Sequence, residues 1–253
     1  MSMKHDAIEV ATVSDLIATL RAHSEGQTLW YRGQGDKSWP LVPSIVRAYP
    51  DAPVETEWAL LKRFRQNAPR LLSEAVTTEW EWLFLMQHYG VETRLLDWTE
   101  SPLLALYFSV YNDERDDTDA ALWVLDPLHF NHSNNCGGSI PGDFPFCGVD
   151  NLMEGYLTRN VMASVQSPQN PIAAMAPRSS ARIAAQLGVF TVFHADFEPL
   201  ENLCERQHVW KYIIPAASKP RIRKDLEVLQ INKFSLFPEL ANAAQLAKER
   251  ING

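Results

Sequence analysis

A few residues in this sequence have types and spacing that can do chemistry. Arg32 stands in Arg32-Gly33-Gln34-Gly35, at the end of a β-type run that starts at Thr28. A guanidinium there can hold a carboxylate or phosphate with both arms of its fork, and glycine beside it lets backbone approach closely. Gln87 and His88 fall on the last turn of an apolar helical pattern that stops at Gly90, and Arg94, Asp97 and Thr99 follow within a dozen residues. Asp97 can stabilise developing positive charge or act as a general base, with His88 as its acid-base partner. Arg182 and Gln186 lie four apart, so one helix face presents both to a ligand or to a backbone turn. Glu239 sits near the start of a C-terminal helical pattern, where the helix dipole favours a carboxylate without any catalytic reason. A structural reading also stands for each group. Arg94 and Asp97 can pair to brace a corner, and Arg32 can brace an acidic neighbour.

The elements that must position these groups centre on residues 80–111. Trp82, Leu83, Leu85 and Met86 give a helix one apolar face, with Gly90 as its C-terminal stop. A short strand is expected over Thr93–Leu96, then a turn at Asp97-Trp98-Thr99, then a second helix opened by Ser101-Pro102. Upstream, 7–11 reads as a strand, Ser14 as the cap of a first helix, and Thr56–Leu72 as a helix disturbed by Pro69. Downstream, Ala120–Leu125 and Trp210–Pro215 read as strands and Lys219–Leu229 as a helix, with Ser235 opening the last one. The acidic run 113–119 reads as a solvated loop, and 127–180 as surface loops with short helices. The fold class expected is α+β: one domain over 1–253, with helices packed on a mixed or antiparallel sheet.

The ordered motifs Tyr31-Arg32-Gly33-Gln34, Trp39-Pro40-Leu41, Pro43-Ser44, Gln87-His88-Tyr89-Gly90, Thr93 to Thr99, Pro102 and Ala105-Leu106-Tyr107-Phe108 occur in one family, as does the closing Leu236-Phe237-Pro238-Glu239-Leu240. The chain resembles the FRG domain family over most of its length. That family is a signature found in bacterial and phage proteins and does not by itself set an activity; a toxin or phage-defence effector is the role expected of an NAD-dependent transferase or glycohydrolase of this kind. A second resemblance is to the ADP-ribosyltransferase layout, and it implies NAD as substrate. By that resemblance Arg32 clamps the NAD diphosphate and Thr93 to Thr99 form the ribose strand. Asp97 and Glu239 are then the carboxylates available, beside His88, in a polar cleft that also holds Gln34, Gln87, Arg94 and Thr99. The sequence departs from the layout where a Ser-Thr-Ser element would stand, which reads Thr93-Arg94-Leu95-Leu96-Asp97, and its last third has no Glu-x-Glu or Gln-x-Glu pair.

The 253 residues have an ordinary globular composition, 46% hydrophobic and 10% aromatic. A formal charge of -8 argues against a phosphate-backbone binder, so nucleic acid is not the expected partner. Cys136, Cys147 and Cys204 are an odd set without paired spacing, which fits a reducing compartment. His129, His132, Cys136 and Cys147 do not have a zinc-ligand spacing, and no metal is expected. Without a signal-like N-terminus or a long apolar run, the expectation is a cytoplasmic protein that does not enter membranes. No Gly-x-Ser-x-Gly elbow, phosphate loop or dinucleotide-binding glycine pattern is present. Three readings stand open: an NAD-dependent transferase or glycohydrolase, a non-catalytic module that binds a nucleotide or a protein, and a hydrolase using Asp97 and His88.

Overall fold

Alternating or continuous apolar runs with β-branched and aromatic residues build the strands here, and apolar residues at helical spacing build the covers on their faces. The computed structural model describes residue 5 and residues 7–24, 26–72, 74–134, 143–178, 180–203, 207–240, 242–244 and 247–248. In chain order the first elements are β1 (Ile8–Glu9), α1 (Val13–His23), β2 (Trp30–Gln34), α2 (Ser44–Ala48), α3 (Pro53–Asn67) and α4 (Glu79–His88). Then come β3 (Leu95–Thr99), α5 (Pro102–Val110), β4 (Ala120–Leu125), α6 (Pro127–Ser133), α7 (Asn151–Glu154) and α8 (Thr158–Ala163). The series closes with β5 (Ile172–Ala174), α9 (Ala181–Ala185), β6 (Gly188–Val192), β7 (Val209–Ile214), α10 (Lys219–Val228) and α11 (Lys233–Leu236).

The strands form one seven-stranded mixed sheet in the order β1-β7-β4-β2-β3-β6-β5. All neighbours are antiparallel except β1 and β7. The fold is α+β, as expected. One face of β7, β4 and β2 packs under α1, α5 and α10, through Leu16, Leu106, Trp210 and Ile222. A second cluster joins α4 to β3, β5 and β6 through Trp80, Leu83, Phe84, Leu95 and Phe190. A third, built on Trp30, Trp98, Trp123, Phe130 and Phe193, fills the opposite face.

The ladder is weak at its centre. β2 pairs with β4 along its whole length, and β3 does the same with β6. Between β2 and β3 the register holds a single pair, Tyr31 with Thr99. The sheet is thus two well-laced halves joined at one point, and Arg32, Gly33 and Gln34 run past Trp98 and Asp97 without a ladder between them.

Several boundaries move from their sequence expectations. Asp97, Trp98 and Thr99 belong to β3 rather than to a turn, because Leu96 and Trp98 alternate into the third core while all of Leu95–Thr99 pairs with β6. The turn falls one step later, where the Ser101 side chain caps α5 and Pro102 opens it. Thr12, not Ser14, caps α1. α3 starts at Pro53 and gives way to a 3₁₀ turn at Pro69–Leu71, leaving Leu71 exposed. α11 is opened by an Asn232/Ser235 capping box and ends at Leu236. Glu239 then accepts from the N–H groups of Asn242 and Ala243, so it starts the helical turn that follows Pro238. The acidic run is not idle either: Asp116 pairs with Arg223, and Asp119 binds Lys37 and the Ala216 N–H.

Candidate functional site

Where β2 and β3 part, a cavity of about 610 Å³ opens, lined from β2, β3, β6, α2, α4, α5 and α9. Its floor carries Arg32, Asp97 and Thr99, one side carries Gln87 and His88 from the end of α4, and another carries Arg182 and Gln186 from α9. Arg47 from α2 and Trp39 from the loop after β2 complete it, with Phe84, Phe108, Tyr111 and Phe190 among its apolar walls. Three arginines and one carboxylate, Asp97, are therefore in its lining, in a chain whose formal charge is -8. Such a concentration of positive charge inside an acidic protein makes the cavity a trap for anions.

Arg32 crosses the gap in the sheet. Its Nη1 donates to the Asp97 carbonyl at 2.7 Å and lies 4.0 Å from the Asp97 carboxylate, in place of the missing ladder bonds. Its Nε is buried and meets no hydrogen-bond partner among the described residues. Burial presses the guanidinium below its ordinary value, Asp97 opposes that shift, and Arg47 adds to it. Arginine remains protonated under such pressure, and part of the side chain, 18% of its surface, stays exposed at the cavity.

Asp97 is held by a short relay. The Thr93 hydroxyl donates to Gln87 Oε1, which turns the amide so that Nε2 donates to Asp97 Oδ2 at 2.7 Å. The carboxylate is half exposed, and its Oδ1 has no donor among the described residues. Arg47 is tied by Nη1 to the Val42 carbonyl at 2.6 Å, which fixes its head at the cavity wall. Arg182 donates to the His88 carbonyl at 2.9 Å and stacks on Phe237, its guanidinium carbon 4.7 Å from the ring centroid. His88 has a buried Nδ1 without a partner among the described residues. Burial lowers its pKa, Arg182 lowers it further, and Glu239, whose Oε1 is 4.0 Å from Nε2, works in the opposite direction.

The expected site residues thus divide. Arg32, Gln34, Gln87, His88, Asp97 and Thr99 all line the cavity. Gln34 and Thr99 do so with their polar atoms committed: Gln34 bonds the Pro40 carbonyl and the Trp123 indole, and Thr99 bonds the Gln186 carbonyl. Glu239 stands behind His88, outside the lining.

Arg94 is a correction. It does not face the cavity and does not pair with Asp97. It is fully buried and bonds Glu57 at 2.7 Å through Nε, with the Phe193, His194 and Tyr156 carbonyls around its other nitrogens. β-strand alternation does not decide this, since Arg94 precedes β3; Glu57 on α3 draws it inward.

Gly33 is a second correction. The missing side chain makes room for α5, not for a ligand: a Cβ there would lie 1.9 Å from the Ala105 carbonyl oxygen. Arg47 and Trp39 were missed, because neither belongs to a polar cluster in the sequence. Among the described residues no three His, Cys, Asp or Glu side chains gather as a metal site. His129 hydrogen-bonds Asp126 and Cys147 is buried, while Cys136 and Cys204 lie outside the described residues.

This is the geometry in which the comparisons with known proteins take on meaning. Residues 27–118 match the FRG domain. The FRG match takes in β2, α2, α4, β3 and α5, and with them Arg32, Arg47, Gln87 and Asp97. The wall formed by α9 and β6 comes from beyond the matched segment. No curated protein and no solved structure matches the chain. No described helix is long and apolar enough to cross a membrane.

Proposed function

We propose that the cavity binds NAD and that the protein is an NAD-dependent ADP-ribosyltransferase or NAD glycohydrolase, with all of 1–253 serving as one FRG-like unit. The observation that carries this reading is the gathering of three arginines, Arg32, Arg47 and Arg182, with one carboxylate, Asp97, in the lining of one cavity. A diphosphate answers the guanidinium groups, and the amide and aromatic walls suit the sugars and rings attached to it.

The chemistry follows from the carboxylate. When the bond from ribose C1′ to the nicotinamide nitrogen breaks, its electron pair leaves with neutral nicotinamide and positive charge spreads over C1′ and the ring oxygen. Asp97 opposes that charge, as carboxylates do in glycoside hydrolysis. Water or an acceptor hydroxyl then bonds to C1′ and gives up its proton. His88, whose neutral form burial and Arg182 favour, takes that proton, and Glu239 steadies the imidazolium formed. Gln87 keeps Asp97 in place throughout.

The test is incubation of the purified protein with NAD, following nicotinamide release by chromatography and the melting temperature in parallel. Release is expected from the native protein, lost in Arg32→Ala and Asp97→Asn, with the thermal shift by NAD lost in Arg32→Ala alone. No release together with no thermal shift excludes NAD. A second reading, a module that binds a nucleotide or protein without cleaving, draws on Asp97 lying between Gln87 and Arg32, where its charge is partly answered already. It predicts a thermal shift without release.

A further inference from the structure

Trp39 and Tyr111 are the two exposed aromatic residues of the lining. The third core cluster buries Trp30, Trp98 and Trp123 almost completely, whereas Trp39 borders the cavity with 39% of its surface exposed. An indole open at a cavity rim offers apolar surface that a ligand can cover. One face is already covered. The Arg115 guanidinium carbon lies 4.7 Å from the ring centroid, a cation–π contact, and Arg115 itself is not part of the cavity lining.

Both members of this stack are held with unusual care. Lys219 is fully buried, an expensive place for an ammonium group, and its Nζ donates to the Gly35 carbonyl at 3.0 Å and to the Arg115 carbonyl at 2.6 Å. One buried cation therefore ties together the loop that leads to Trp39 and the turn that carries Arg115. The same loop is pinned again by Lys37 to Asp119 at 2.9 Å, by Lys211 to the Lys37 carbonyl at 2.8 Å, and by Gln34 to the Pro40 carbonyl. A loop so constrained holds its ring at a set angle before any ligand arrives, which lowers the cost of binding.

We propose that Trp39, backed by Arg115, is the stacking platform for the heterocyclic base of a nucleotide whose phosphates lie at the arginines of the same cavity. The inference rests on the reading of the cavity as a nucleotide site and adds where the base sits and which residue sets preference for a ligand that has one. Trp39 is a specificity residue here. It takes no part in bond cleavage.

Binding to the full chain is measured by calorimetry with two probes, ADP and inorganic pyrophosphate, for the native protein and for Trp39→Ala, Trp39→Leu, Trp39→Phe and Arg32→Ala. The base makes ADP the tighter ligand of the native protein. Trp39→Ala and Trp39→Leu weaken ADP by about ten- to a hundred-fold and leave pyrophosphate unchanged. Trp39→Phe recovers most of the ADP affinity, which packing alone does not explain because leucine fills similar space. Arg32→Ala weakens both probes. Equal affinity of the native protein for the two probes overturns the platform, as does an equal loss of both in Trp39→Ala or unchanged ADP binding in that variant; in these cases the Arg32 result still supports a nucleotide site. If neither probe binds the native protein, the platform and the nucleotide reading fall together.

Discussion

Arg94 and Asp97 are three residues apart and meet opposite fates. Arg94 goes into the interior, where Glu57 and three backbone carbonyls satisfy a guanidinium far from water, and the Thr158 hydroxyl donates to Glu57 in turn. Its function is to join α3 to the start of β3, the end of β6 and the α7–α8 segment. Removing one partner of a buried pair strands the other charge, which costs roughly 3–5 kcal/mol. Arg94→Ala is therefore expected to lower the unfolding free energy, read from denaturant titrations, by an amount in that range, and Arg94→Ala with Glu57→Ala together by less than the sum of the singles. Additive losses contradict the clasp. His88 offers a gentler test. Its lowered pKa has burial as the first cause and Arg182 as the second, opposed by Glu239. In imidazole NMR titrations, Arg182→Met is expected to raise the His88 pKa and Glu239→Gln to lower it further.

Individual residue types were informative where the residue works alone. Asp97, Gln87 and Arg32 stood out in the sequence because polar groups there interrupt apolar runs. The partner of Arg94 did not, since Glu57 lies 37 positions away on a helix whose pattern says only that one side is apolar.

At the scale of elements, the site depends on how closely α5 crosses β2. Gly33 faces the α5 backbone, and a methyl group there would overlap the Ala105 carbonyl at 1.9 Å and the Ser109 nitrogen at 2.5 Å. Backbone cannot give way as a side-chain tip does. Gly33→Ala is thus expected to exceed the roughly 1–3 kcal/mol of ordinary overpacking, with a matching fall in melting temperature. Gly35→Ala, which meets only the flexible Arg115 side chain at 3.4 Å, is expected to stay near the native value. A stable Gly33→Ala protein contradicts the close crossing. The helices α4 and α5 and the strand β4 were legible from periodicity and caps. The single pairing between β2 and β3 was not, because register loss leaves no mark on composition. It is nonetheless what opens the cavity, while Asp97 is a strand residue through its pairing with β6.

For the molecule as a whole, acid sensitivity separates into two windows. His194 is fully buried beside Arg94, and desolvation with that positive neighbour pulls its pKa down to about 4 from 6.5. The unfolded chain takes up a proton there as pH falls below about 6.5 and the folded protein does not, so stability drops between about pH 6.5 and 4 and this contribution levels off lower down. The loss comes to about 3 kcal/mol. Asp116 and Asp119 have lowered pKa values through Arg223 and Lys37, so their contributions are present above the ordinary carboxylate value and vanish only in stronger acid. His194→Gln is expected to flatten the upper window in urea titrations and leave the lower one. The α+β class was legible at this scale from alternating strand and helix patterns. The cavity was not, since its walls are drawn from residues between Tyr31 and Phe190 and no local window contains them.

The gap at the centre of the sheet also bears on the order in which the protein can be made. β3 gains its full ladder only from β6, and β4 only from β2 and β7, so each half of the sheet waits for a strand synthesised long after its first member. A chain that has left the ribosome as far as Asn170 already contains Arg32, Arg47, Gln87 and Asp97. It still lacks the α9 wall, the β6 partner of Asp97, and Phe237 under Arg182. Whatever chemistry the cavity performs therefore begins after the last strands emerge, and a growing chain passes through synthesis with its reactive groups present and its site unassembled.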